Sequence, residues 1–281
     1  MPAEQIASSL AYINWTVLTG LAVGSFGAVV LGLLRTSATK GYLGFMALTS
    51  AAFGVLAWLS DSGVGGGPEF GTWIGPAFEN PWRTVRPAAL VLFSALALVN
   101  SLGLFWGARS RLVALSGIGV GLLVLIAAAL SWGGSILGAA LLFVQLVVLA
   151  AATGGVWAAM ILGHWYLVTP KLPEAPLILF ARVLTGVVAV QLVLFVAWVA
   201  TGAGPEGVAG LGALTGPWAL FVWLRLIVGI VFPLVVSWAA IQTARTRSME
   251  SATGLLYINV GTIAAGTILA AGLYFGAGLL V

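Results

Sequence analysis

Cysteine is absent from the 281 residues, and charged residues are scarce. Without a thiol the chain can form no disulfide, no thiolate metal site, no iron–sulfur cluster and no covalent c-type haem attachment. Only 6% of the residues are charged and 61% are apolar, whereas soluble domains carry about 25% charged residues. A water-soluble fold could not cover its surface with so little charge, so the composition indicates a protein that lies in a bilayer.

Acidic residues and histidine are also rare, and both shortages limit the catalytic and metal-binding sites that the chain can form. Asp and Glu together number 7, and the sequence places none of them inside a long apolar run. A single histidine cannot supply both axial ligands of a b-type haem, or the several imidazoles of a copper or di-iron site. We therefore expect no catalytic residues, no metal site and no covalently bound cofactor, and the sequence favours a protein that is not an enzyme.

Long apolar runs make up most of the chain. A membrane-spanning helix needs about 20 mostly apolar residues, and eight runs meet that requirement. The sequence therefore predicts an all-α, polytopic membrane protein with eight transmembrane helices. The predicted spans are Ile13–Leu34, Gly41–Leu59, Ala88–Gly107, Leu112–Trp132, Ser135–Leu167, Pro176–Thr201, Gly216–Thr243 and Ser251–Leu280.

Basic residues cluster in the short loops on one side of these spans. The loops between spans 1 and 2, 3 and 4, 5 and 6, and 7 and 8 carry Arg35, Lys40, Arg109, Arg111, Lys171, Arg245 and Arg247. The positive-inside rule makes this side cytoplasmic, so both termini are expected outside. The expected location is a bacterial-type cytoplasmic (inner) membrane. The expected partners are the lipid bilayer and membrane or peripheral protein subunits, and not nucleic acid, because the net charge of +4 reflects topology.

The two halves of the chain share landmarks. ARSR at 108–111 returns as ARTR at 244–247, and PW at 81–82 returns at 217–218, both 136 positions later. Four spans per half is an even number, so both halves would enter the membrane in the same direction, as parallel repeats. The predicted repeats are residues 1–134 and 135–281. Chance similarity between segments rich in glycine and alanine is the alternative.

Small residues recur every four positions in spans 1 and 5. Span 1 carries Gly20, Gly24, Ala28 and Gly32, and span 5 carries Ala151, Gly155, Ala159 and Gly163. Because lipid tails are as apolar as leucine, membrane helices associate through close backbone packing and polar contacts. Spans 1 and 5 are therefore expected to form the central contact between the halves. Packing of each ladder within its own bundle is the alternative.

Tryptophan is abundant and falls mainly at the predicted span ends, where aromatic belts anchor membrane helices. The residues expected at the outer interface are Trp15, Trp73, Trp82, Trp132 and Trp218, and those at the inner interface are Trp106 and Trp165.

Arg225 lies ten residues into span 7, about 15 Å from its outer end at 1.5 Å per residue. A charge at such depth costs roughly 2.5–3.5 kcal/mol on insertion scales, so it marks a site hypothesis. Its partner could be a ligand, a backbone carbonyl, a Gln or Asn, or a carboxylate (Glu69 or Glu79) from the long outer loop. Pro233 in the same span is expected to kink the helix and free a carbonyl. Ligand binding and a structural, carbonyl-capped role both stay open.

Five more polar residues lie at similar depth towards the cytoplasmic ends of their spans: His164, Tyr166, Arg182, Tyr257 and Asn259. Together with Arg225 they are the predicted ligand-binding residues, because equal depth allows one polar pocket. The pKa of histidine suits proton handling. The alternatives are an interfacial His164, a snorkelling Arg182 and ordinary interhelical hydrogen bonds.

Eight spans with both termini outside are similar in layout to the anchor subunits of respiratory molybdenum enzymes, which are four-plus-four bundles that handle quinone. The likeness is one of topology, and no residue motif of that family is found here. It implies an integral membrane subunit of a respiratory or redox complex that binds a quinone or lipid-like ligand, with quinone as the expected cofactor. The alternatives are a transporter of a small anionic or neutral solute, with its site between the repeats, and a structural subunit without a ligand.

Overall fold

The computed structural model describes residues 2–64, 81–169, 172–202 and 210–281. In these ranges the regular structure is all helical, and eight helical segments are long and apolar enough to cross a membrane. The predicted all-α, polytopic membrane architecture is confirmed. The helices are α1 Pro2–Ser8, α2 Leu10–Arg35, α3 Lys40–Asp61, α4 Trp82–Phe105, α5 Arg111–Trp132, α6 Ile136–Val168, α7 Ala175–Thr201, α8 Ala219–Leu226, α9 Phe232–Arg245 and α10 Met249–Ala277.

The seventh span is made of α8 and α9 joined by one π-helical turn, Ile227–Val231. A short 3-10 helix, Gly210–Leu214, precedes it. Side-chain hydroxyls cap several other spans, as at Ser135, which accepts a hydrogen bond from the N–H of Gly138 at the start of α6. Since the first N–H groups of a helix have no partner within it, this cap lets α6 begin directly after α5.

Two differences from the predicted helix ends change the placement of charged residues. Helix α3 continues to Asp61, and α4 begins at Trp82, six residues before the predicted Ala88. Arg86 therefore lies in a span, not in a loop, and Asp61 is an acidic residue at the end of a span where none was expected. Charged residues are typical of loops, whereas the structure buries the side chains of Arg86 and Asp61, at 3% and 8% exposure.

The helices form two four-span groups with matching neighbours. In the first, α2, α3, α4 and α5 pack in sequence and α5 returns to α2; in the second, α6, α7, the α8–α9 span and α10 do the same. Between the groups, α2 packs along α6, α5 touches α6, and α10 touches α2. One end of the bundle carries Arg35, Lys40, Arg109, Arg111, Arg245 and Arg247 and is called the basic face below; the other end is called the opposite face.

Helices α2 and α6 meet backbone to backbone at Gly24 and Gly154. A Cβ atom on Gly24 would lie 1.8 Å from the carbonyl oxygen of Ala150, and one on Gly154 would lie 2.1 Å from the N of Ser25. The predicted contact between spans 1 and 5 is confirmed. The predicted ladder on span 5 is wrong by one position, because the row with Ala150 and Gly154 faces α2, whereas Gly155 borders Leu184 of α7.

Candidate functional site

Arg225 lies inside the bundle with 3% of its surface exposed. Its guanidinium donates three hydrogen bonds to protein oxygens. Nε donates to the main-chain oxygen of Val281 (3.4 Å), Nη1 to that of Gly229 (3.2 Å), and Nη2 to Oε1 of Gln191 (3.2 Å). Every guanidinium nitrogen therefore has a partner from the protein itself, as a buried cation requires.

The carbonyl of Gly229 is available because of Pro233. A regular α-helix would bond this carbonyl to the N–H four residues later, and proline has no N–H. The π-helical turn Ile227–Val231 lies at this point, and the absence of a side chain at Gly229 lets α10 approach at Gly266. A Cβ atom on either glycine would lie 2.6 Å from the Cα of the other and about 3 Å from Nη1 of Arg225. The carbonyl that Pro233 leaves free thus accepts a hydrogen bond from the buried Arg225.

These contacts support the structural, carbonyl-capped alternative for Arg225, and ligand binding by this residue stays a prediction. A ligand would have to displace at least one of the three bonds. Glu69 and Glu79, the loop carboxylates considered as its partners, lie outside the described residues.

Gln191→Leu should destabilise the protein by about 1.5–3 kcal/mol, the usual worth of a hydrogen bond to a charged group, because it leaves a buried cation short of one acceptor. The measurement is unfolding by sodium dodecyl sulfate in mixed micelles. Gln145→Leu is the matched control, since Gln145 is equally buried and its Oε1 has no hydrogen-bond partner among the described residues. Equal stability losses in the two variants would contradict the role given to Gln191.

The other predicted site residues are not gathered in one pocket. His164, Arg182 and Tyr257 are exposed on the outside of the bundle, with Tyr257 at 50%. Tyr166 and Asn259 are buried, but at separate places. The Tyr166 hydroxyl donates to the carbonyl of Pro173, and the Asn259 amide donates to the carbonyl of Pro233 at 3.4 Å.

The positions of these five residues along their spans do not determine the direction in which their side chains point. Similar depth leaves a side chain free to face any side of its helix. A shared pocket of all five is therefore not formed, and a ligand role for any one of them stays a prediction.

An apolar groove lies on the outside of the bundle, at the seam between the two four-span groups. It has a volume of about 300 Å³ and is bounded by α2 and α5 from the first group and α6 and α7 from the second. The groove is deep because Gly24, Gly27 and Gly155 lie along it without side chains. Its walls include Leu31, Ile118, Leu125, Val147, Phe180 and Val187, and every side chain that lines it is apolar.

A second apolar groove, about 510 Å³, lies on the outer surface of α3 and α4 between Val55, Trp58 and Leu98. Only two helices border it, whereas four helices border the groove at the seam. The seam groove can therefore surround the apolar part of a ligand on more sides, and binding sites for apolar ligands are concave in this way.

The buried ion pair Arg86–Asp61 at the opposite face was not predicted. Nε and Nη2 of Arg86 donate to the two carboxylate oxygens of Asp61 at 2.6 and 3.2 Å. The guanidinium carbon also lies 4.5 Å from the ring centre of Trp132 and 5.7 Å from that of Trp15. Tyr12 packs edge-on against Trp132 at 5.4 Å. The pair is therefore enclosed by aromatic rings, with the cation over their faces.

This cluster corrects the prediction for two tryptophans. Trp15 and Trp132 were expected in an outer aromatic belt, yet they are 0% and 4% exposed. The sequence signal that could have identified them is the pair of basic residues Arg83 and Arg86 on an otherwise acidic side, since a cation that violates the positive-inside rule needs local partners. Trp73 lies outside the described residues.

At the basic face, Arg247 donates a hydrogen bond of 2.9 Å to Glu174, next to the start of α7. The pKa of the Glu174 carboxyl is lowered, first by a hydrogen bond from its own backbone N–H and then by that from Arg247. In the described part of the chain, no cluster of three or more His, Asp or Glu residues could hold a metal ion.

The fold defines the class of this protein: a multi-pass integral membrane protein with eight membrane-crossing segments in the described residues. Its sequence matches no protein-family model and no curated protein. What the molecule does is therefore inferred from its groove and from its few polar side chains.

Proposed function

We propose that the chain is an integral membrane subunit that holds the apolar tail of a quinone or lipid-like molecule in the groove between α2, α5, α6 and α7. The observation that carries the proposal is the groove itself, which opens on the outside of the bundle and is lined only by apolar side chains. Its volume of about 300 Å³ lies at the lower end of the usual range for ligand pockets, roughly 300–1,000 Å³. A tail would fill it, and the headgroup would lie beyond it.

We also propose that the two four-span groups are parallel repeats, with the termini outside and the basic face in the cytoplasm of a bacterial-type cell. The matching helix neighbours in the two groups and the shared sequence landmarks support the duplication. The cations at the basic face support the orientation. In this arrangement the groove lies where the repeats meet and reaches into the cytoplasmic leaflet.

The transporter alternative gains less support. A transporter of an anionic solute would need a free cation at its site, and the guanidinium of Arg225 is instead bonded to three protein oxygens. A polar solute would also find no hydrogen-bonding side chain in the seam groove.

Gly155→Leu tests the proposal. A Cβ atom at Gly155 would have its nearest neighbour, Cδ1 of Leu184, at 4.0 Å, so a leucine can extend into the groove without striking a backbone. We expect the purified variant to lose most of the quinone or lipid that the parent retains after exchange into nanodiscs, as measured by extraction and mass spectrometry.

Gly186→Leu is the matched control, because Gly186 lies on the exposed side of α7 and a Cβ atom there meets nothing within 4 Å. Both substitutions replace a helical glycine and should not lower helix stability. If Gly155→Leu retains as much ligand as Gly186→Leu, the groove is not the binding site.

A further inference from the structure

Two arginines lie in line with the seam groove at its basic end. On α2, Arg35 is four residues beyond the groove residue Leu31, and on α5, Arg111 is seven residues before the groove residue Ile118. Positions four and seven apart share one face of an α-helix. Both arginines therefore lie on the helix faces that border the groove.

The two arginines also lie at the same depth. Helices α2 and α5 approach each other at the groove, where a Cβ atom on Gly27 would lie 3.7 Å from Cδ1 of Ile118. At 1.5 Å per residue, the backbone of Arg35 is about 12 Å from Gly27, and that of Arg111 is about 10.5 Å from Ile118. Both distances run towards the basic face, so Arg35 and Arg111 occupy helix positions at the basic end of the groove.

On the α2 and α5 side of this mouth, every charged side chain among the described residues is basic. Arg35 and Arg111 are exposed, and no hydrogen bond or ion pair links either to another described residue. The neighbouring cations Lys40 and Arg109 donate to the carbonyls of Gly107 and Ala38. Helices α2 and α5 and the adjoining loops 36–39 and 106–110 contain no Asp or Glu. On the α7 side of the groove, Glu174 is already paired with Arg247, so neither Arg35 nor Arg111 has a paired counter-charge among the described residues.

We propose that the groove and these two arginines form a binding site for an anionic phospholipid. One acyl chain lies in the groove, and the phosphate lies between the guanidinium groups of Arg35 and Arg111. Guanidinium binds phosphate oxygens in a bidentate manner, and an uncharged quinone headgroup offers nothing comparable. This inference rests on the proposed function, because it assigns the headgroup of the molecule whose tail occupies the groove.

The test is competitive lipid binding, followed by native mass spectrometry of the full chain. The two lipids are phosphatidylglycerol and phosphatidylcholine with identical acyl chains. Each arginine near a membrane contributes a preference of about fivefold for an anionic lipid, and both together roughly 30-fold. We expect the parent to prefer phosphatidylglycerol by that order and Arg35→Gln/Arg111→Gln to bind the two lipids equally.

Arg245→Gln is the matched control, because Arg245 is exposed on the same face at the end of α9, away from the groove. It should keep the parent's preference. Arg35→Lys/Arg111→Lys keeps the positive charge at the basic face and should retain part of the preference, so it also guards against a change of membrane orientation in the Gln variant.

The outcomes separate this inference from the function on which it rests. If Gly155→Leu releases both lipids while the Arg35→Gln/Arg111→Gln variant still prefers phosphatidylglycerol, the groove holds a tail but the arginine site is wrong. If Gly155→Leu releases neither lipid, the groove itself is wrong. Displacement of phosphatidylglycerol by inorganic phosphate alone, or a tighter hold on a quinone than on either phospholipid, would also overturn the phospholipid assignment.

Discussion

Gly154→Ala is expected to weaken the contact between the two four-span groups and to lower stability by about 3 kcal/mol, the upper end of the usual cost of overpacking. The added methyl would lie 2.1 Å from the N of Ser25 and 2.3 Å from the carbonyl carbon of Gly24. These are backbone atoms, so no side chain can rotate away to make room. This clash can be relieved only if α2 and α6 move apart, which would disrupt every contact along the seam.

Unfolding by sodium dodecyl sulfate measures this loss, and Gly261→Ala provides the control. Gly261 is exposed on α10, and a Cβ atom there meets nothing within 4 Å. Alanine is the better helix former by about 1 kcal/mol, so the control should be no less stable than the parent. Equal stability of Gly154→Ala and Gly261→Ala would show that the helices do not approach as closely as described.

Asp61→Asn is the second substitution with a large expected effect. It keeps the size of the side chain but leaves Arg86, at 3% exposure, without its counter-charge. Removing one partner of a buried ion pair costs about 3–5 kcal/mol, because the remaining charge is uncompensated in a low-dielectric interior. Trp132 and Trp15 lie over the cation, but ring faces replace only part of a full negative charge.

A double variant distinguishes a stability loss caused by an uncompensated charge from one caused by a change in side-chain shape. Asp61→Asn/Arg86→Met removes both charges and keeps most of the volume, so it should recover most of the stability lost by Asp61→Asn alone. Glu174→Gln breaks the exposed pair with Arg247 and should change stability little. The account of the buried pair would be wrong if the double variant were no more stable than Asp61→Asn.

The number and type of the helices could be predicted because the hydrocarbon core demands long apolar runs and hydrogen-bonded backbone. Individual helix ends were harder, as α3 and α4 illustrate. Considered separately, Asp61 and Arg86 are typical of loops. Both can be buried in the bundle because they form an ion pair with each other. Sequence patterns score residues singly, so an ion pair formed by residues 25 positions apart was not visible in them.

The packing face of α6 shows a different limit. Ala150 and Gly154 form one small-residue row, and Ala151 and Gly155 form another beside it. Both rows allow close approach, so helix α6 alone does not determine which one meets α2. The structure uses the first row for the seam and leaves the second along the groove. The sequence thus predicted the right pair of helices with the wrong rotation.

The predicted polar site residues differ in how much their position along the span reveals about their surroundings. For Arg225, depth alone was informative, because a cation far from both membrane surfaces has to find acceptors inside the protein, and Pro233 supplies one by freeing the carbonyl of Gly229. His164, Arg182 and Tyr257 lie nearer a surface, where a side chain can reach water or lipid headgroups from any side of its helix. The depth of these three residues therefore does not predict which residues surround them.

The wide turn at Ile227–Val231 has a consequence for the whole second group. A π-helical turn holds one residue more than a regular turn, and one residue corresponds to a rotation of about 100°. Everything from Phe232 to Arg245 is thereby turned about its own axis relative to a straight continuation of α8. With one residue fewer, Val236, now buried, would take the exposed direction of Val235, and Trp238, now exposed, would take the buried direction of Ser237. One additional residue therefore determines which side chains of α9 are buried in the bundle and which are exposed.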